Sequence, residues 1–268
     1  MSINHGDDLA LAHRLADAAD AITLARYQAL DLTFVNKPDN TPVTDADKSA
    51  EVAIRALLHE HRPEDGIVGE EFGNEGLERD RYWVIDPIDG TKNFLRGVPT
   101  WATLIGLVEK QSDGSEVVIV GVVSAPALFR RWSASAGNGA FVSVNGDQPK
   151  RISVSKVATI EDASISYSDL IGWGSRLGNF QALLQSAWRT RAHGDFWSHM
   201  LVAEGAVDVA AEPSLALWDM AALDIIVREA GGRFTNLDGK DGSHGANALS
   251  TNSALHNYVV QSLAVKSS

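Results

Sequence analysis

The order in which hydrophobic periodicity changes along the chain restricts the fold more than any other feature. Leu11, Leu15, Ala18, Ile22 and Ala25 recur at helical spacing, which predicts a helix over about residues 8–30. Pro38 and Pro42 bracket a loop, and a second helix is expected over about 45–61, with Ala50, Ile54, Leu57 and Leu58 inward and Pro63 stopping it. The period then shortens. β-rich runs at 82–86, 103–108, 117–123 and 131–135, with SDG, AGNG and VNG as turn sequences, form the pattern of a meandering sheet. Beyond about residue 150 the texture is mixed: a strand at 163–166, a helical stretch at about 176–188, and HGDFWSHMLVAEGAVDVA, which reads as a helix beginning near Trp197, ended by Gly205 and followed by a strand. WDMAALDIIVREAGG reads as a further helix, closed by Gly231 and Gly232 as helix C-termini often are. Helices, then strands, then mixed elements predict an α+β protein of layered α and β in two lobes, 1–148 and 149–268, forming one compact unit. Neither a glycine-rich dinucleotide fingerprint nor a phosphate-loop lysine contradicts that reading.

Charge and composition limit the partners. The formal net charge of −12 argues against nucleic acid, whose phosphates are gripped by clustered lysine and arginine. A small phosphate ester stays open, because metal ions held by carboxylates reverse the local sign of the field. The longest strongly apolar run, 117–123, is far too short to span a bilayer, and MSINHGDDLA has no basic segment leading into an apolar one, so no membrane span or leader is expected. With no cysteine, disulfides and thiolate nucleophiles are excluded, and a reducing compartment, the cytoplasm, is the expectation.

The chemistry concentrates in WVIDPIDGTKNF, residues 83–94. An apolar strand ends in Asp86, and Pro87 is expected to hold Asp86 extended and force a turn, so that Asp86 and Asp89 face one pocket. Two carboxylates and the backbone carbonyl of Ile88 suit a hard divalent cation such as magnesium. Gly90 allows close backbone approach, and the amides of Gly90 and Thr91, if they open a helix, would cradle a phosphate. Asp-Pro-x-Asp-Gly also makes an ordinary turn, so further acids must decide. Glu70 and Glu71 end another apolar run, and Asp219 opens a helix, where an acid also favours the dipole. Asp47 doubles as the last residue of a capping box begun by Thr44. His59 and His61 fall on a polar helix face and read as solvated; Trp101, Trp132 and Trp188 read as core or interface.

Together, GEE, DPIDGT and WDMAALDIIVREAGG, in this order and at these separations, resemble the inositol monophosphatase superfamily of magnesium-dependent, lithium-sensitive phosphatases, over nearly the whole chain from VTDAD to ALSTN. The resemblance implies a five-layered αβαβα sandwich, as in the inositol monophosphatases and fructose-1,6-bisphosphatases, and a homodimer. By it, Glu70, Asp86 and the Ile88 carbonyl hold one metal, Asp86, Asp89 and Asp219 a second, and Glu70 helps place a third, giving two or three magnesium ions; Asp47 and Thr91 orient the attacking water. Asp89, Gly90 and Thr91 would bind the phosphate. Lys92 after the Gly-Thr, and the departure of HGDFWSHMLVAEGAVDVA from the small-residue run of inositol phosphatases, are similar to the histidinol-phosphate phosphatase branch. An ester carrying an ammonium and an imidazole wants carboxylates, and Asp195 and Glu212 are available, with Lys92 and Asp219 completing the expected substrate contacts; an N-cap and a loop acid before Pro213 are the plainer roles of Asp195 and Glu212. An inositol-1-monophosphatase and an adenosine 3',5'-bisphosphate-type nucleotide 3'-phosphatase are the enzymatic alternatives. The latter would need a second phosphate site, for which no dense basic patch appears. A noncatalytic metal-binding scaffold would have lost a ligand, and Glu70, Asp86, Asp89, Thr91 and Asp219 are all present.

Overall fold

A computed structural model describes residues 5–38 and 41–265; the first four residues of the amino-terminal stretch and two residues of the Pro38–Pro42 loop lie outside them. In chain order the elements are α1 (Gly6–Arg26), β1 (Phe34–Asn36), β2 (Pro42–Thr44), α2 (Asp45–His61), β3 (Gly66–Gly69), β4 (Gly73–Glu75), β5 (Arg81–Asp89), α3 (Thr91–Leu95), β6 (Ala102–Lys110), β7 (Glu116–Ala125), β8 (Arg130–Ser135), β9 (Gly139–Val144) and β10 (Lys150–Arg151). The remainder comprises β11 (Ser164–Ser166), α4 (Leu177–Ser186), β12 (Arg189–Arg191), α5 (Asp195–Ala203), β13 (Val209–Glu212), α6 (Leu217–Glu229), β14 (Arg233–Thr235), β15 (Ala248–Thr251) and α7 (His256–Leu263).

An eight-stranded sheet in the order β10-β9-β8-β7-β6-β5-β3-β4 is an antiparallel meander from β5 to β10, with β3 added parallel to β5. Its strands alternate. On β5, Trp83 and Ile85 face a core shared with Leu11 and Leu15 of α1 and Ile54 and Leu58 of α2. Tyr82 and Val84 face the opposite core, with Phe196 and Met200 of α5 and Ala221, Ile225 and Ile226 of α6. This period-two partition is what burying both faces of a sheet demands. A five-stranded sheet, β12-β11-β13-β15-β14, lies beyond α5 and α6, and α4 and α7 supply Phe180, Leu183, Val259 and Leu263 to the core on its outer face. The layers are therefore α1/α2, the large sheet, α5/α6, the small sheet and α4/α7: an αβαβα sandwich.

Several expectations need correcting. β5 does not turn at Pro87: it stays paired with β6 as far as Asp89, with a bulge between Asp86 and Asp89. Proline lacks an N–H, and a bulge is where a strand needs none. α1 ends at Arg26, α4 spans only Leu177–Ser186, and α7 adds a helix beyond the expected elements. α5 starts at Asp195 itself; its cap position is Gly194, so Asp195 is not an N-cap. Trp101 and Trp132 are fully buried, whereas Trp188 is 69% exposed and not part of the core. His59 is exposed beside Glu75, and His61 meets Arg14.

Candidate active site

Three elements converge at the end of β5. The strand delivers Asp86, only 2% exposed, whose Oδ1 accepts the Ile88 N–H at 2.9 Å and so shapes the bulge that brings Asp89 round. α6 delivers Asp219 in its first turn, where Oδ2 accepts the Ala216 N–H at 2.6 Å. That helix lies close on the sheet because Gly106 and Gly121 have no side chain: a Cβ on Gly121 would stand 2.5 Å from Ile225 Cγ2 and 2.8 Å from the Ala222 carbonyl oxygen. α5 completes the arrangement, the Phe196 N–H donating to Asp89 Oδ2 at 2.7 Å. One carboxylate oxygen from each of Asp86, Asp89 and Asp219 then lies within 4.8 Å of the others.

Three carboxylates so close repel. Burial, then the charges of Glu70, Asp89 and Asp219, push the Asp86 carboxyl well above its ordinary range; burial, then Asp195 and Asp219, do the same to Asp89; burial takes Asp219 up to about 6. Such a cluster is relieved by a cation, and an all-oxygen donor set fits a hard divalent ion. The residues present thus fit the magnesium that the motifs imply.

Glu70 follows β3, outside this triad but on the same cavity wall. Lys37 places its ammonium 2.8 Å from Glu70 Oε1 and 2.7 Å from Glu71 Oε1, and burial takes Glu71 up to about 7. The loop is held from behind by fully buried Glu51, which accepts the N–H groups of Glu71 and Phe72 at 2.8 and 3.2 Å and Arg55 Nε at 2.8 Å. Asp47 closes the capping box read in the sequence, its Oδ2 accepting from Thr44, and its Oδ1 lies 3.4 Å from Thr91 Oγ1. Burial raises Asp47 to about 6. Thr91 opens α3, donates to the Ile88 carbonyl at 3.0 Å and follows Gly90, whose φ of +84° and 3.0 Å clearance to the Thr100 carbonyl suit only glycine.

Glu70, Asp86, Ile88, Asp89, Gly90, Thr91, Lys92, Asp195 and Asp219 line one cavity of about 470 Å³. Asp47 and Glu212 are not on its wall. Glu212 lies behind Ser168, whose hydroxyl donates to Glu212 Oε1 at 2.9 Å, and burial raises Glu212 to about 8. Ser168, Asp169, His193 and Asn93 join the wall and carried no signal in the sequence reading. A larger cavity of about 680 Å³, beside Pro126, Phe129 and Arg131, shares no residue with this one and contains none of the triad.

Sandwich and carboxylate cluster together define a candidate divalent-metal site on an αβαβα scaffold. The family model of the inositol monophosphatase family matches residues 7–266, and the chain belongs to that family. It is 57% identical over 260 residues to a histidinol-phosphatase of Mycobacterium tuberculosis, covering 96% of this chain and 98% of that one. It is likewise 57% identical over 252 residues to a histidinol-phosphatase of Streptomyces coelicolor, covering 93% and 94%. Among solved structures, the Thermotoga maritima IMPase superposes with a TM-score of 0.83 at 30% identity, covering 96% of each chain.

Proposed function

We propose that the protein is a magnesium-dependent phosphate monoester hydrolase that converts histidinol phosphate and water to histidinol and phosphate, a reaction of histidine biosynthesis. The observation that carries the substrate is the 57% identity, over nearly full length, to two histidinol-phosphatases. The cavity supports it. Beyond the carboxylate triad, the wall carries Asp169 and Asp195, with Glu212 one hydroxyl behind, facing the single lysine Lys92. An ester with a cationic body is stabilised by such surroundings through charge as well as hydrogen bonds; the hydroxyls of inositol can donate to these carboxylates but bring no positive charge to offset theirs.

Asp86, Asp89, Asp219, Glu70 and the Ile88 carbonyl would hold two or three magnesium ions, which supply positive charge to the phosphoryl oxygens and lower the pKa of a coordinated water. Thr91 Oγ1, its hydrogen given to the Ile88 carbonyl, accepts a hydrogen bond from the attacking water. Asp47, fully buried behind Thr91 and 3.4 Å from its Oγ1, is kept anionic near neutral pH and draws the water's proton by relay, the hydroxyl turning its own hydrogen to Asp47 Oδ1 as it takes the water's. The amides of Gly90 and Thr91, with Asp89, position the phosphate. Asp195 stabilises the ammonium and imidazole of the leaving alcohol; Glu212, whose pKa of about 8 an arriving cation would lower, adds to this through Ser168, and the reacting end lies beside Asp219 and Lys92. Lithium in excess inhibits, and the chain works as a cytoplasmic homodimer, for which the exposed Trp188 is available apolar surface.

The test is phosphate release with magnesium from histidinol phosphate, inositol 1-phosphate, adenosine 3',5'-bisphosphate and glycerol 2-phosphate. Histidinol phosphate is expected to give the highest kcat/KM; a higher value for inositol phosphate or the nucleotide overturns the reading.

A further inference from the structure

Asp195 is held in an unusual way. It is the first residue of α5, its φ is +49°, and it stands next to Gly194 at +77°, so two successive residues have positive φ. A non-glycine residue there is strained and persists only where its surroundings hold it. The Asp195 N–H donates to Ser168 Oγ at 3.2 Å. On the side-chain side, Asn93 Nδ2 donates to Asp195 Oδ2 at 3.0 Å. Its second hydrogen is given to the Thr100 carbonyl at 2.9 Å. Both amide hydrogens are thus committed, and a flipped amide would set its oxygen against a carbonyl and a carboxylate. No other hydrogen-bond donor meets the Asp195 carboxylate among the described residues, which leaves Oδ1 unshared.

We propose that Asn93 is a positioning residue for substrate selectivity: from α3, the helix opened by Thr91, it fixes the rotamer of Asp195 on the opposite wall so that the free carboxylate oxygen meets the cationic part of the substrate. The tie also couples the two halves of the cavity. Gly90, beside the metal-binding acids, would place a Cβ 3.0 Å from the Thr100 carbonyl and 3.4 Å from Asp195 Oδ2, so phosphate turn, Asn93 and Asp195 pack as one unit. The inference rests on the histidinol phosphate reading above.

The experiment is a double-mutant cycle with Asn93→Ala, Asp195→Asn and the pair, each assayed on histidinol phosphate and glycerol 2-phosphate across substrate concentrations. Asn93→Ala is expected to lower kcat/KM about tenfold on histidinol phosphate, chiefly through KM, and much less on glycerol phosphate, as follows from loosening a hydrogen bond to a charged group. Added to Asp195→Asn, it should cost little more, because it acts through that carboxylate. Asn93→Ser, which keeps one donor, should recover part of the loss. If wild type prefers histidinol phosphate and Asp195→Asn abolishes the preference, but Asn93→Ala lowers both substrates equally or adds its full loss to Asp195→Asn, this inference alone is overturned. If wild type shows no preference, the substrate reading fails and the inference falls with it.

Discussion

A carboxylate at the end of a strand can serve the fold or a ligand, and Asp86 separates the two roles by sign. It is buried beside Asp89 and Asp219, so without metal its charge opposes folding. Asp86→Asn is therefore expected to melt no lower than wild type in chelator, and to lose the increase in Tm that magnesium gives wild type through preferential binding to the native state. Turnover should fall by at least about a thousandfold, since several kcal/mol of charge stabilisation depends on the ions it would hold. Near wild-type turnover, or an unchanged magnesium shift, would mean that Asp86 holds no metal. Residues of this kind are legible in sequence because each sits in a local motif: DPIDGT, GEE and WDM name their own acids. Lys37, Ser168 and Asn93 are not legible, because their meaning is a distance. Asn93 meets Asp195 across 102 residues, and Lys37 reaches Glu70 across 33. Nothing nearby in the chain distinguishes either from an ordinary loop or helix residue.

Helices with capping chemistry and a long apolar stripe were readable, and α2 runs over the residues expected of it because Thr44 and Asp47 cap its start. The meander from β5 to β8 is equally clear from its alternation and turns, whereas β9 and β10 are not among the expected strands. What failed was what neighbours decide. α7 is eight residues long, too short for its own periodicity to stand out, and is stabilised by burying Val259 and Leu263 under the small sheet. β5 continues past Pro87 because β6 is there to pair with it. The docking of α6 is also tertiary, and it is testable. Gly121→Ala would drive a Cβ into Ile225 and the Ala222 carbonyl, neither of which is a flexible tip, so overpacking should cost about 1–3 kcal/mol and lower Tm by several degrees. Because α6 carries Asp219, the magnesium concentration for half-maximal activity should rise as well. Gly178→Ala, at an exposed position of α4 with nothing within 4 Å of the new Cβ, should be neutral or stabilising by up to about 1 kcal/mol. A Gly121→Ala variant with wild-type Tm and metal dependence would show that the sheet yields and that the close approach does not position Asp219.

At the scale of the molecule, buried titratable groups pull stability in opposite directions with pH. Without metal, Asp219 near 6 and Glu212 near 8 bind protons more tightly folded than unfolded, so their contribution grows as pH falls from about 8 towards 5. His199 works against them. It lies on α5 between the two sheets, 1% exposed, with Nδ1 2.6 Å from Ser250 Oγ, its ring 5.8 Å from Phe234, and Nε2 without a partner among the described residues. Burial alone holds its pKa down to about 4, whereas an unfolded histidine titrates near 6.5. Between those values the unfolded chain binds the extra proton, so the stability His199 confers is complete above about 6.5 and is lost as pH falls towards 4. At about 1.4 kcal/mol per pH unit of displacement, the loss is on the order of 3 kcal/mol. His199→Gln removes this titration and leaves the carboxylates alone. Melted in chelator from pH 7.5 to 4.5, the variant should begin less stable, having lost packing against Phe234, and then converge on wild type or cross it as the pH drops. Parallel curves would mean that the imidazole is already solvated in the folded protein, and acid sensitivity would have to be sought in groups outside the α5 layer.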